Sequence, residues 1–503
     1  MKPIEGPYYP IIYVRGYAGT EAEVEETVAT PYMGFNLGAT KVRQRWDGTV
    51  VRNVFESPLV RLMKDFGYRD IYSDGEAIHH DREIPPRSVV IYRYYDQVSK
   101  DLGEGERPEI EVFAEGLSRL ILDLKRQVCG TDRYDPATFK VLLVAHSMGG
   151  LICRAFLQNE DLGEASARAC IDKVFTYATP HNGIDLKVLG NVPSFFSKNN
   201  ADNFNRKRMR EYLKLPSGTG SAAVLDGKFD PSRFFCLVGT DSKDYTVASG
   251  WSSRLVGSAS DGLVRIENAA VKGAPRALVH RSHSGHYGIV NSEEGYQNLS
   301  RFLFGDVRID GVLRITDLSL PAKVEKARIA GKKIRASYHF ETVVRPRGAR
   351  YDLHRRLVDE ESAIYRSYDE LFGHARDRAP HLFSTYLSAK SRTHKRGPLV
   401  FAIDLKVRVP DYEIDGFMFF DDHIEGATLF NETLIVAAVP PVGEHGGWQV
   451  RYGFKPGAAN PTPRVAQSQD AGGALTFHIP LSSPARQRPG MTATLEISAR
   501  PWA

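Results

Sequence analysis

Cysteine is scarce in this chain. The four present, Cys129, Cys153, Cys170 and Cys236, are spread over 503 residues without the spacing of a metal centre. Three fall in or beside apolar segments, which marks them as buried free thiols. Long hydrophobic runs are absent too, and a helix needs about 20 apolar residues to span a bilayer. The opening Met1-Lys2-Pro3-Ile4-Glu5-Gly6-Pro7 lacks the apolar stretch of a leader peptide, and the first apolar run, Ile11-Ile12-Tyr13-Val14, has the composition of a core strand. The expectation is a cytoplasmic protein with no transmembrane segment, an export route without a leader leaving no mark on a sequence. Charge of one sign is not in excess either. The 66 Lys and Arg against 61 Asp and Glu give a net charge of +5, too slight to imply nucleic acid, and no nucleic-acid-binding motif occurs. A hydrophobic fraction of 42% with 25% charged residues excludes a disordered or fibrous chain. The length suggests two or three domains, each able to bury a core.

The most informative stretch present is Val141-Leu142-Leu143-Val144-Ala145-His146-Ser147-Met148-Gly149-Gly150-Leu151-Ile152. A β-branched apolar run rises into Ser147, two glycines follow, and the apolar spacing then becomes helical through Ala155, Phe156 and Leu157. Strand, sharp turn and helix leave a serine hydroxyl at the carboxyl edge of a strand, beside the N–H groups of a helix N-terminus. Ser147 is the candidate nucleophile. Ala145 departs from the Gly-x-Ser-x-Gly pattern, and the crowded neck of such a turn admits alanine but nothing larger. Upstream, Ile11-Ile12-Tyr13-Val14 ends in Arg15-Gly16-Tyr17-Ala18-Gly19-Thr20, whose glycines suit an oxyanion loop. The N–H groups of Tyr17 and Met148 are the expected oxyanion hole.

Strand and helix signals alternate around this stretch. Ser88-Val89-Val90-Ile91-Tyr92 is a strand, and a helix over 109–128 carries the stripe Val112, Phe113, Leu117, Leu120, Ile121 and Leu124. Strands follow at 171–178, 233–239 and 276–280, with a closing helix over 293–303. That order argues a parallel sheet with right-handed crossovers and helices on both faces. Residues 21–87, with an amphipathic helix near 58–66, are expected to lie over the site. His79-His80-Asp81 reads as a solvated loop, having no further ligands nearby. His181, after the strand next to the nucleophile strand, reads as structural. Residues 184–228 interrupt the alternation with apolar Val188, Leu189, Val192, Phe195 and Phe196, a basic helix and a glycine-rich hinge, the composition of a mobile cap.

A serine needs an adjacent base, and the base a carboxylate to hold its tautomer. The chain order expected in this arrangement is Ser147, Asp261, His286. Asp261 lies in Ser260-Asp261-Gly262-Leu263-Val264, with Asp241 and Asp244 as rivals. His286 follows Gly285 in the loop beyond the last strand, with His283 next in rank and His280 still in the strand.

Arg15-Gly16, Ala145-His146-Ser147-Met148-Gly149-Gly150, Thr179-Pro180-His181-Asn182-Gly183, Ser260-Asp261-Gly262-Leu263-Val264 and Gly285-His286, in this order, resemble the motif set of α/β-hydrolase lipases and esterases. The similarity, over residues 10–305, is nearest in flavour to bacterial triacylglycerol lipases and GPI inositol deacylase-like hydrolases. It implies hydrolysis of carboxylic esters, lipid or small-molecule, through an acyl-enzyme, with no cofactor and no metal. A phospholipase or amidase on the same triad, or a catalytically idle fold used for binding, are the alternatives. Arg15 in place of histidine and the long 21–87 segment depart from the simple lipases.

The expected division is a catalytic domain over 1–305 and an accessory domain over 306–503. In the second, strand signals recur without helices between them, at 311–318, 334–344, 399–409, 447–454, 475–480 and 491–499, with one helical insertion near 359–373. That pattern reads as an antiparallel β-sandwich without triad or metal set, suited to structural support or to docking on a lipid surface or protein.

Overall fold

Apolar runs that cannot face water on either side become the strands of one parallel sheet. In chain order the strands are β1 (Ile11–Val14), the short polar edge strand β2 (Arg69–Asp70), β3 (Ser88–Tyr92), β4 (Val141–His146), β5 (Ile171–Tyr177), β6 (Phe234–Gly239) and β7 (Arg276–Val279). The computed structural model describes residues 1–16, 40–44, 47–54, 57–71, 83–92, 94, 108–130, 133–184, 202–243, 259–284, 288–349, 351–373, 377–392, 394–395, 397–415, 422–439, 449–454, 464–471, 474–484 and 487–502. Across the seven-stranded sheet the order is β2-β3-β1-β4-β5-β6-β7, so β4 is its central strand. Every neighbouring pair is parallel. Chain order reverses between β1 and β4, and the crevice beyond the carboxyl ends of strands at such a switch is where open α/β sheets place their sites.

Helices cover the sheet because its strands are buried on both faces. Helix α1 (Pro58–Phe66) ends at Gly67, whose φ of 68° ends the helix in the left-handed region. Helix α2 (Ile110–Cys129) buries Ile110, Phe113, Ala114, Leu117, Ile121 and Leu124, positions that share one helical face. Val112, expected on that stripe, is off it and exposed. Helix α3 (Met148–Gln158) is buried along its whole length. Helix α4 (Arg206–Tyr212) is capped by the Asn205 side chain and buries Met209 and Tyr212. The part of the expected cap that is described, 202–228, is thus anchored; residues 185–201 lie outside the described residues. Helix α5 (Glu293–Phe304) closes the unit. Among the described residues no helix is long and apolar enough to cross a membrane.

The chain divides into two compact units, Met1–Phe304 and Gly305–Ala503. Among its described residues the second holds two antiparallel sheets and the helices Ala322–Ile329 and Tyr368–Phe372. Five strands, His381–Leu387, Val307–Ser319, Gly490–Pro501, Ala474–Ser482 and Gln467–Ala471, form one. The larger is built on Ser337–Pro346, Leu399–Ile414 and Asp422–Val439. Burial alternates residue by residue over 399–410, the mark of a sheet with one face inward. Leu313, Ile479 and Leu495 from one sheet and Phe340, Ile403, Val407 and Leu434 from the other share a single apolar core, so the unit is a β-sandwich. The helical insertion shrinks to Tyr368–Phe372, started by a capping box between Ser367 and Glu370.

Candidate active site

β4 ends at His146, and Ser147 turns the chain with φ 51° and ψ −122°, a left-handed conformation costly for a residue with a side chain. The surroundings hold it there. Its N–H donates to the carbonyl of Tyr177 at 2.9 Å, and its carbonyl accepts from Gly150 N–H at 3.0 Å and Thr179 Oγ1 at 2.9 Å. The two glycines after it are required by contact. A Cβ on Gly149 would lie 2.1 Å from the Val14 carbonyl oxygen, and one on Gly150 would lie 2.2 Å from Thr179 Oγ1. Ala145 is fully buried in the neck.

The loop after β7 brings His283 to the serine. Its Nε2 is 3.0 Å from Ser147 Oγ and its Nδ1 is 2.9 Å from Asp261 Oδ2. The other carboxylate oxygen of Asp261 accepts the N–H groups of Leu263 at 3.0 Å and Val264 at 2.8 Å, a tight turn with Gly262 at φ 97°. Because both of those bonds lock Oδ1, Oδ2 is left to take the Nδ1–H of His283. That tautomer puts the lone pair of Nε2 toward the serine hydroxyl. Ser147, His283 and Asp261 are 5%, 3% and 1% exposed, so their bonds act in a site with little water.

Of the expected residues, Ser147 and Asp261 both lie in bonding distance of His283, the histidine ranked next after His286; His286 itself lies outside the described residues. His283 is held there by a backbone bond, its N–H donating to the carbonyl of Asp261 at 2.9 Å. Asp241 is not in the chain of bonds: its Oδ1 caps Lys243 N–H at 3.0 Å. Asp244, Tyr17 and His79-His80-Asp81 lie outside the described residues. The other expected oxyanion donor, Met148 N–H, is the first of α3, where no intrahelical acceptor exists for it. Gly16 packs against the elbow, since a Cβ there would be 2.8 Å from both His146 Nδ1 and Ser147 Cβ. The carbonyl of Arg15 is held by Tyr94 Oη–H at 2.8 Å.

His181 is structural, as its position suggests. Its buried imidazole is bonded through Nε2 to Thr176 Oγ1 at 3.1 Å, and burial, aided by nearby Arg154, pushes its pKa well below the ordinary value. Arg154 went unremarked in the sequence. It is fully buried, and its guanidinium donates to the carbonyls of His181 at 2.8 Å, Ala222 at 2.6 Å and Val224 at 2.8 Å and to Gln158 Oε1 at 2.9 Å. Burial lowers its pKa only to about 10, so it stays a cation that ties the Thr-Pro-His loop to the end of the insertion. The signal for it was an arginine on a helix face otherwise apolar.

The β-sandwich unit also holds a serine, a histidine and an aspartate in contact. Ser384 Oγ donates to Asp310 Oδ1 at 2.6 Å, and one and the same nitrogen of His381, Nε2, lies 3.2 Å from Ser384 Oγ and 3.8 Å from Asp310 Oδ1, so the imidazole does not link them through its two nitrogens as a relay requires. Asp411, Glu413 and His423 bring ligand-type atoms within 4.8 Å of one another on the same unit, where Glu413 is also paired with Arg335. No metal set was expected there.

Residues 114–253 match the family described as the PGAP1-like alpha/beta domain. The match runs from α2 through the Ser147 turn to just beyond β6 and stops short of Asp261 and His283. No curated protein matches the sequence. Among solved structures, the mature form of the Bacillus licheniformis lipase BlEst2 is similar at 15% identity, covering 59% of this chain and 92% of its own, with a TM-score of 0.31. A putative cell surface hydrolase from Lactobacillus plantarum WCFS1 is similar at 15% identity over 65% of this chain and 98% of its own, with a TM-score of 0.28. The propeptide form of BlEst2 is 11% identical over 89% of this chain and 97% of its own, with a TM-score of 0.28.

Proposed function

On an α/β-hydrolase fold whose nucleophile turn, helix and switch point coincide, we propose that this protein is a serine hydrolase of carboxylic esters. The carrying observation is the ordered pair of bonds from Ser147 through His283 to Asp261, at 3.0 and 2.9 Å. In this reading Ser147 Oγ attacks the ester carbonyl carbon while His283 Nε2 takes its proton. The negative charge passes to the carbonyl oxygen, which lies against the Met148 N–H and, as proposed from the sequence, that of Tyr17. Collapse of the tetrahedral intermediate breaks the bond to the leaving alcohol, which receives the proton from His283 and departs. Water, deprotonated by His283, then attacks the acyl-serine, and the same steps release the acid and free Ser147. The Asp261 carboxylate accepts the Nδ1–H of His283 and stabilises the imidazolium. Preference for esters of acyl chains rests on the apolar residues Val188, Leu189, Val192, Phe195 and Phe196 of the insertion.

A fluorophosphonate probe tests the nucleophile. Intact protein is expected to be labelled, and Ser147→Ala is not; label on the alanine variant would sink the assignment. With p-nitrophenyl esters of rising chain length, kcat/KM is expected to increase beyond acetate. A maximum at acetate removes the acyl-chain preference while leaving esterase chemistry in place.

A further inference from the structure

His146 is the last residue of the central strand and the neighbour of the nucleophile, yet the proposed reaction gives it no task. Its side chain is buried, and burial, with His283 and Arg15 beside it, pushes its pKa down to about 3. A neutral imidazole carries its hydrogen on one nitrogen alone. Nε2 lies 2.9 Å from the backbone carbonyl oxygen of His283, which only accepts, so the hydrogen is on Nε2 and is donated there. Nδ1 faces the opposite way, against the backbone of Gly16, where an added Cβ would approach to 2.8 Å. The ring is clamped between the end of β1 and the loop of the base, its centroid 5.1 Å from the imidazole of His283.

His283 belongs to no helix or strand, so bonds made by its own backbone decide where its imidazole points. The N–H side is tied to the carbonyl of Asp261 and the carbonyl side to His146. Asp261 thus holds the base twice, once by backbone and once by carboxylate, and His146 ties it to the strand that carries the nucleophile. We propose that His146 is a positioning residue. By holding the carbonyl of His283 through Nε2–H, it keeps the imidazole in bonding distance of Ser147 and Asp261 together. The inference rests on the Ser147-His283-Asp261 reading and extends it, since the bond of His146 is to the backbone of His283 and it acts through that residue.

The test replaces His146 by Gln and by Met. Glutamine places an N–H the same number of bonds from Cβ as Nε2 of histidine; methionine keeps the length and removes the donor. Both are measured by p-nitrophenyl ester kinetics, with kcat expressed per site labelled to completion by a fluorophosphonate, alongside a thermal melt. His146→Met is expected to lose on the order of 10²-fold in kcat at unchanged KM, the cost of a displaced catalytic group. His146→Gln is expected to restore most of that loss. Wild-type kcat in His146→Met overturns the inference, as does a glutamine variant as slow as the methionine one. A methionine variant without a cooperative melt also overturns it, because the residue is then a packing element. Parallel Ser147→Ala and His283→Ala variants separate the two levels: if either keeps activity, the triad reading itself has failed.

Discussion

Asp261→Asn is the sharpest perturbation of the site because its result follows from bonds already drawn. Two backbone N–H groups, of Leu263 and Val264, converge on Oδ1 at 3.0 and 2.8 Å. In the variant the amide oxygen has to stay with those two donors, since the amide nitrogen in that place would confront them hydrogen to hydrogen. The NH2 is therefore turned to where Oδ2 stood, 2.9 Å from Nδ1 of His283. Nδ1 must now accept, which moves the imidazole hydrogen to Nε2, and Nε2–H faces Ser147 Oγ, whose proton it no longer takes. Shape and size hardly change, so stability is preserved while the base is in the wrong tautomer. Triads forced into this state lose about 10⁴-fold in kcat, or about 5 kcal/mol of transition-state stabilisation. The assay is p-nitrophenyl ester hydrolysis with a thermal melt as control. A variant that melts like the wild type and keeps kcat within about tenfold would refute the reasoning, because so small a loss is not the tautomer penalty.

Four further outcomes are expected. His283→Ala abolishes ester hydrolysis while His286→Ala retains it; the reverse pattern in p-nitrophenyl ester assays restores His286 as base. Gly149→Ala drives a methyl into the Val14 carbonyl oxygen, 2.1 Å away, and is expected to cost about 1–3 kcal/mol as overpacking does, read by urea denaturation; an unchanged midpoint contradicts the close approach. Arg154→Met strands the carbonyls of His181, Ala222 and Val224, and at roughly 1–3 kcal/mol for each unsatisfied acceptor the loss is several kcal/mol in the same measurement; a near-neutral effect would show that the guanidinium is not what holds them. His146 and His181 are kept neutral by burial, below the 6.5 of an exposed imidazole. The unfolded chain binds protons there that the folded chain does not, so their contribution is complete above that pH. It drains as pH falls, by up to about 1.4 kcal/mol per pH unit for each ring, down to about 3 for His146. Stability that stays flat below 6.5 would contradict the burial of both rings.

Much of the architecture is written locally. The parallel sheet shows itself in doubly apolar runs such as Val141-Leu142-Leu143-Val144, and the sandwich in the alternation of Leu399, Phe401, Ile403, Leu405, Val407 and Val409. The long strand Asp422–Val439 was not anticipated, because Gly426 and the polar Asn431-Glu432-Thr433 interrupt its pattern. His381–Leu387 was missed as well: its polar Ser384 and Thr385 are both buried, so alternation is absent. Val112 marks the limit of reading a helix face by eye, one position being enough to carry a side chain from core to water.

The sequence by itself determined the nucleophile turn. A strand-forming run, a serine and two glycines are consecutive, while the bonds and contacts that hold the strained φ of Ser147 and require Gly149 and Gly150 come from Tyr177, Thr179 and Val14, brought in by the neighbouring strands. It also placed Asp261, His283 and His286 after the serine in that order, past the strands that precede them. Only the tertiary structure decided which histidine meets the serine. His283 and His286 are three residues apart and the sequence around them does not choose between them; the backbone of His283 is held by Asp261 on one side and His146 on the other, from segments 22 and 137 residues away in the chain.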